Sequence, residues 1–137
     1  MQISKNFSLS ELTKSQTALR LNIFNQPEPE DLYNLHMLCD NILQPVREHF
    51  DKPVTISSGY RSPELCLAIG SSEKSQHAKG EAADFEVLGV DNKVVAEWIR
   101  DNLSFDQLIL EFYKDGEPTS GWIHCSYADK NLSLIHI

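Results

Sequence analysis

The chain has 137 residues, with 12 lysines and arginines against 20 aspartates and glutamates, and a formal net charge of −8 at pH 7. Its length predicts a single domain with a core of its own, which we place at residues 1–130. Because the acidic composition offers no basic stripe to neutralise phosphates, we exclude a nucleic-acid partner. We also expect a monomer.

Hydrophobic segments and cysteine spacing indicate where the protein is made and whether its thiols are reduced. No apolar run approaches 18 residues and the N-terminus lacks an apolar signal core, so we expect no membrane partner and synthesis in the cytoplasm without a signal peptide. Cys39, Cys66 and Cys125 lie far apart and lack a CxxC spacing. This favours reduced core residues over disulfides or metal ligands.

The first third of the chain is predicted to be helical. Ser8 and Glu11 fit a capping box that opens a short helix through about residue 15. Apolar residues then recur at helical spacing over residues 30–50, which predicts the longest helix of the fold. Pro45 lies inside this helix and should kink it, because proline removes one backbone hydrogen bond.

A strand and a helix are predicted next, with an arginine between them. Residues 52–57 are rich in β-branched side chains and predict a strand, and Ser62 before Pro63 predicts the start of a helix that runs to about residue 69. Arg61 therefore lies on a loop at a strand end, where binding residues often occur. The alternative is a surface arginine paired with a glutamate.

A helix followed by a strand is predicted for residues 91–113. Residues 91–103 form an amphipathic pattern whose inward residues are Val94, Val95, Trp98, Ile99 and Leu103. Residues 105–113 alternate as a strand, and Glu111 is a carboxylate among apolar neighbours. Glu111 is either a charge at a sheet edge facing solvent or, if this strand pairs antiparallel with the next one, a neighbour of His124.

The segment 75–84 carries the clearest chemical pattern. His77 and Asp84 are seven residues apart, which is about 23 Å along a strand or about 10 Å along a helix. A shared metal ion therefore requires the chain to fold back between them, and Gly80 permits the positive φ of such a turn. Alternation after Gly80 predicts a strand with Asp84 on its polar face.

His124 is the best third ligand for the same ion. It lies in the run 121–127, where Trp122, His124 and Ser126 alternate with Ile123, Cys125 and Tyr127 as in a strand. A catalytic zinc needs three protein ligands and leaves a fourth position for water.

These motifs resemble the M15 family of zinc peptidases, which includes D-Ala-D-Ala carboxypeptidases and phage endolysins. The resemblance rests on Ser-x-His-x-x-Gly-x-Ala-x-Asp at residues 75–84, Trp-Ile-His at 122–124, and Ser-Gly-Tyr-Arg at 58–61. It covers about residues 7–127. The resemblance implies one Zn²⁺ per chain, held by His77, Asp84 and His124.

The same resemblance implies roles for three other residues. Arg61 binds the substrate carbonyl or carboxylate and stabilises the oxyanion, since a guanidinium donates two hydrogen bonds to such groups. Glu111 is the general base. Ser75 binds the substrate or, equally well, caps the backbone of its own turn.

Some positions depart from the family pattern. Certain relatives place the catalytic glutamate three residues before the last histidine, where this chain has Gly121, and others place it at the end of the preceding strand, as Glu111 is here. Trp122 stands where relatives carry a histidine, Cys66 where they carry asparagine, and Ser71 where they carry glycine.

The fold we expect is α+β, with a small, mainly antiparallel sheet packed against helices and the zinc site on the sheet's open face. The function implied is hydrolysis of a bond involving D-amino acids in the peptidoglycan stem peptide. The protein would reach the cell wall after its release from the cytoplasm, as phage lysis proteins do. The alternatives are an inactive zinc-binding module similar to the hedgehog amino-terminal domain, and a metal-free structural or wall-binding module. Residues 131–137 are predicted to be a C-terminal tail, either a non-native extension or an edge strand.

Overall fold

The structure is a computed structural model that describes residues 1–128 and the backbone of residues 134–136. No helix within this described part is long and apolar enough to cross a membrane. The predicted tail falls largely outside it, and the domain boundary at residue 130 stays a prediction.

The helices and strands follow one another in a mixed order. The strands are β1 (Gln2–Ser4), β2 (Phe7–Ser8), β3 (Val54–Ser58), β4 (Ala82–Val87), β5 (Gln107–Glu111), β6 (Trp122–Ser126) and β7 (Leu134–His136). The α-helices are α1 (Leu9–Thr13), α2 (Gln16–Leu21), α3 (Pro29–Leu38), α4 (Gln44–Phe50), α5 (Pro63–Ala68) and α6 (Asn92–Asn102). A π-helical segment, Cys39–Leu43, joins α3 to α4, and a 3₁₀ helix, Gln76–Lys79, precedes β4.

One sheet dominates the fold. Its strand order is β3-β4-β6-β5-β7, and neighbouring strands are antiparallel except for β7, which runs parallel to β5. A separate two-stranded ribbon pairs β1 with β2. The predicted α+β class and the mainly antiparallel sheet are therefore confirmed.

The strand register divides the sheet into a buried and an open face. The buried face packs against α3, the π-helical segment, α4 and α6, and its central strands contribute Ala83, Phe85, Leu108, Leu110, Ile123 and Cys125. The alternate residues form the opposite face, among them Asp84, Ile109, Glu111, Trp122 and His124. This alternation places the predicted ligands away from the helices, as expected.

The longest helix differs from the prediction around Pro45. The backbone stays helical from Pro29 to Phe50, but Gln44 N–H bonds to the Cys39 carbonyl, five residues earlier. Pro45 has no N–H to offer the carbonyl of Asn41, so a regular α-helix would lose a bond there. The wider turn accommodates this loss, which is a usual origin of a π-helical bulge.

Other elements differ in detail from the sequence-based assignment. The capping box of α1 is present, with Ser8 accepting from Glu11 N–H, whereas α2 and the β1–β2 ribbon were not predicted. Val94 was expected inside but is 48 % exposed, whereas Val95 is buried as expected and Ala96 is buried beside it. The three cysteines are free and buried, as predicted.

Replacing Phe85 tests the buried face of the sheet. Its side chain is fully buried behind Asp84, so Phe85→Ala should lower the free energy of unfolding by about 3–5 kcal/mol. Phe24 is 78 % exposed, and Phe24→Ala should change that free energy by less than about 0.5 kcal/mol. Urea denaturation of the two variants measures both, and equal losses would contradict this core.

Candidate metal and catalytic site

The antiparallel pairing of β4 with β6 brings Asp84 and His124 together. The two residues are direct cross-strand partners, and His124 Nδ1 lies 2.8 Å from Asp84 Oδ1. Both side chains project from the open face of the sheet. The sequence alternation was therefore sufficient to place these two groups on one face.

His77 reaches the same carboxylate from the 3₁₀ helix. Ser75 Oγ accepts a hydrogen bond from His77 N–H, and Gly80 ends the helix with φ of +75°. A Cβ on Gly80 would lie 2.4 Å from the Asp31 carbonyl oxygen, so only glycine fits this turn against α3. The turn brings His77 Nε2 to 3.6 Å from Asp84 Oδ1.

A backbone carbonyl fixes the ring of His77. Its Nδ1 lies 2.7 Å from the Gly59 oxygen, and because a carbonyl only accepts, Nδ1 carries the proton. Nε2 is then the atom with the free electron pair, and it faces Asp84. Metal-binding histidines are commonly oriented in this way by a hydrogen bond from their other ring nitrogen.

The three side chains together form a donor set that fits a divalent metal ion. One ligand atom from each of His77, Asp84 and His124 lies within 4.8 Å of the others. Tetrahedral bonds of 2.0–2.1 Å place ligand atoms roughly 3.4 Å apart, so the cluster needs only small shifts. Two imidazoles and one carboxylate are a donor set that divalent transition metals, zinc among them, accept.

The electrostatics of the cluster keep the carboxylate charged. Burial by itself raises the pKa of Asp84, but the hydrogen bonds and charges of His124 and His77 outweigh burial and hold that pKa well below its usual value. Asp84 is therefore available as an anionic ligand at neutral pH.

Arg61 lies beside this cluster, at the end of the loop that orients His77. Its backbone N–H donates to the His77 carbonyl at 3.0 Å. Its side chain is half-buried, and Nε is buried without a hydrogen-bond partner among the described residues. A buried guanidinium N–H in this state is suited to an anionic ligand.

A buried asparagine fixes the Arg61 loop, although its sequence context predicts no such role. Asn25 Nδ2 donates to the carbonyls of Thr13 and Tyr60, and Asn25 Oδ1 accepts from Ser62 N–H at 2.7 Å. Tyr60 is buried at the same place, where burial and the Asp31 carboxylate raise its pKa to about 12. No local sequence motif predicts these long-range hydrogen bonds, so the sequence alone could not reveal them.

Glu111 lies on the same open face as the cluster, at the end of β5. It pairs with Trp122, while Ile109 pairs with His124, so Glu111 and His124 are diagonal neighbours, with Cα atoms about 7–8 Å apart. Its carboxylate has no hydrogen bond or ion pair with another described residue. The register therefore places the Glu111 side chain on the same face as His124, one residue pair further along the sheet.

The backbone at Gly121 explains the departure from the family pattern. Gly121 has φ of +66°, and a Cβ there would lie 1.9 Å from the Glu111 carbonyl oxygen. The position that carries a glutamate in some relatives thus has no space for a side chain here. Asp115 and Glu117 are exposed on the loop between β5 and β6, which leaves Glu111 and Glu86 as the carboxylates other than Asp84 on the open face of β4, β5 and β6.

Glu86 differs from Glu111 because it is already bonded. Asn92 Nδ2 donates to Glu86 Oε1 at 3.0 Å and also to the Gly121 carbonyl. The sequence alternation placed Glu86 on the polar face of its strand without a role, and this contact assigns it to fixing the loop before β6.

Comparison with known sequences agrees with this geometry. A sequence model of the peptidase M15 family matches residues 5–126. The chain belongs to the peptidase M15 family. This confirms the resemblance that the motifs at residues 58–61, 75–84 and 122–124 indicated. M15 peptidases are metal-dependent, and the cluster of His77, Asp84 and His124 is compatible with that requirement. The comparison with curated proteins finds no match.

Two glycine variants test the crowding at Gly121. Gly121→Ala should lower the free energy of unfolding by about 1–3 kcal/mol more than Gly116→Ala, because its new methyl group meets the Glu111 backbone. Gly116 has a similar φ of +85° in the same loop, but a Cβ added there would have no neighbouring atom within 4 Å. Thermal denaturation compares the two variants, and equal losses would show that the Gly121 backbone relaxes freely.

Proposed function

We propose that this M15 peptidase is a zinc enzyme that hydrolyses a bond involving D-amino acids in the peptidoglycan stem peptide. The observation that carries the proposal is the cluster of His77, Asp84 and His124 on the open face of the sheet. The family match supplies the reaction class, and the donor set supports zinc.

His77 Nε2, a ring nitrogen of His124 and the Asp84 carboxylate would hold the ion. A zinc ion bound there supplies a Lewis acid that polarises a carbonyl and lowers the pKa of a bound water towards 7. His77 enters this arrangement already oriented, since its Nδ1 proton is held by the Gly59 carbonyl.

Glu111 is proposed to move the protons of the reaction. Its free carboxylate lies diagonally from His124, where it takes a proton from the attacking water and then donates it to the leaving amine. Arg61 is proposed to stabilise the oxyanion, because its backbone N–H is bonded to the His77 carbonyl and its guanidinium has no ion pair with another described residue. Ser75 caps the 3₁₀ helix, and a hydrogen bond from Ser75 to the substrate remains part of the proposal.

The stem peptide is the proposed partner, bound by a monomer at the cell wall. The scissile bond is proposed to be either a terminal D-Ala-D-Ala bond or an L-alanyl bond to a D-residue or glycine. An inactive zinc-binding module is the second candidate. Gly121 favours it, because some relatives carry the catalytic glutamate at this position and this chain has no carboxylate there.

A matched pair of glutamine variants tests the function. Zinc-loaded wild type should release products from purified peptidoglycan or from a D-Ala-D-Ala-terminated peptide, and Glu111→Gln should lower kcat about 10²–10⁴-fold because the general base is lost. Glu86→Gln removes a carboxylate from the same face and should retain kcat. Mass spectrometry of the products identifies the cleaved bond.

The outcomes separate the candidates. Zinc-loaded wild type that cleaves neither substrate would contradict the proposed enzyme and favour the binding module. If kcat falls in Glu86→Gln and not in Glu111→Gln, the general base is Glu86 on β4.

A further inference from the structure

Two cationic side chains, those of Lys14 and Arg61, line a cleft near the metal cluster. Its volume is about 310 Å³, and it lies between the turn that joins α1 to α2, including Lys14, and the segment Ser57 to Arg61. Ser57 Oγ donates to the Asp84 carbonyl at 3.2 Å, and Arg61 N–H donates to the His77 carbonyl. The cleft therefore adjoins two of the three ligand residues.

The charge of this cleft is opposite to that of the whole chain. Lys14 and Arg61 line it, and none of the described lining residues is acidic, although the chain carries a net charge of −8. Neither cation forms an ion pair with another described residue. Glu11 borders a neighbouring pocket with Lys14, but its carboxylate is bonded to Ser8 in the cap of α1.

One buried side chain fixes the two walls of the cleft. Asn25 is 8 % exposed and bonds to Thr13, directly before Lys14, and to Tyr60 and Ser62, directly before and after Arg61. The backbone positions of both cations are thus set by the same amide group. A framework fixed in this way lowers the entropic cost of binding a ligand between them.

We propose that Lys14 adds a second cationic contact to that of Arg61 in this cleft and binds a carboxylate of the substrate peptide, so that Lys14 makes the enzyme prefer anionic peptides. The inference rests on the proposed function for the identity of the ligand as a peptide. Arg61 offers a planar fork of donors to this cleft, and Lys14, which lines the same cleft, adds a mobile point charge. Lys14 is here a specificity-determining residue, and it takes no part in the bond cleavage.

The carboxylate has two sources in such a peptide, and paired probes distinguish them. The first pair is an alanyl peptide with a free C-terminus and the same peptide as its C-terminal amide. The second pair is a stem peptide with glutamate and the same peptide with glutamine. Dissociation constants are measured by calorimetry on metal-free protein, which requires no turnover, and kcat/KM is measured on zinc-loaded protein.

Lys14→Met is compared with Lys52→Met, which removes the same charge from an exposed lysine outside the cleft. Wild type should bind the carboxylate member of one pair more tightly than its neutral partner. Lys14→Met should weaken binding of that member about fivefold, leave its neutral partner unchanged and raise KM with little effect on kcat. Lys52→Met should match wild type.

Several results would overturn the subsite. These are equal affinity of wild type for both members of both pairs, equal weakening of charged and neutral peptides by Lys14→Met, and the same loss in Lys52→Met. Selective binding by metal-free protein without hydrolysis by zinc-loaded protein would support the subsite and reject the proposed enzyme.

Discussion

A carboxylate held between two imidazoles at the centre of the sheet's open face is the constraint on which the site depends. A buried charge is costly unless it is paired and hydrogen-bonded. Asp84 meets this condition only because His124 faces it across the strand pair and His77 approaches from the 3₁₀ helix. The register of β4 against β6 and the turn at Gly80 are therefore both needed to pair this anion, and the same arrangement presents three metal ligands.

The parts of the site that follow from local pattern could be predicted from the sequence. Alternation after Gly80 and around His124 placed both ligands on one face of a sheet, and the need for a chain reversal indicated the turn at Gly80. The capping box at Ser8 and the N-cap at Ser62 are equally local signals, and both are present.

The parts that depend on distant contacts could not be predicted in this way. Asn25 joins residues far apart in the sequence through three hydrogen bonds, and no spacing rule indicates them. The helix α2 was missed because its six residues carry little periodicity. The bulge before Pro45 depends on how a helix accommodates a missing N–H, which sequence pattern reports only as a break.

The most direct test of the central claim is anomalous diffraction at the zinc edge from crystals of the zinc-loaded protein. We predict one strong peak per chain, about 2.0–2.2 Å from a ring nitrogen of His77, a ring nitrogen of His124 and an oxygen of Asp84. No peak at this cluster, or a zinc ion held by other residues, would contradict the metal site and with it the proposed mechanism.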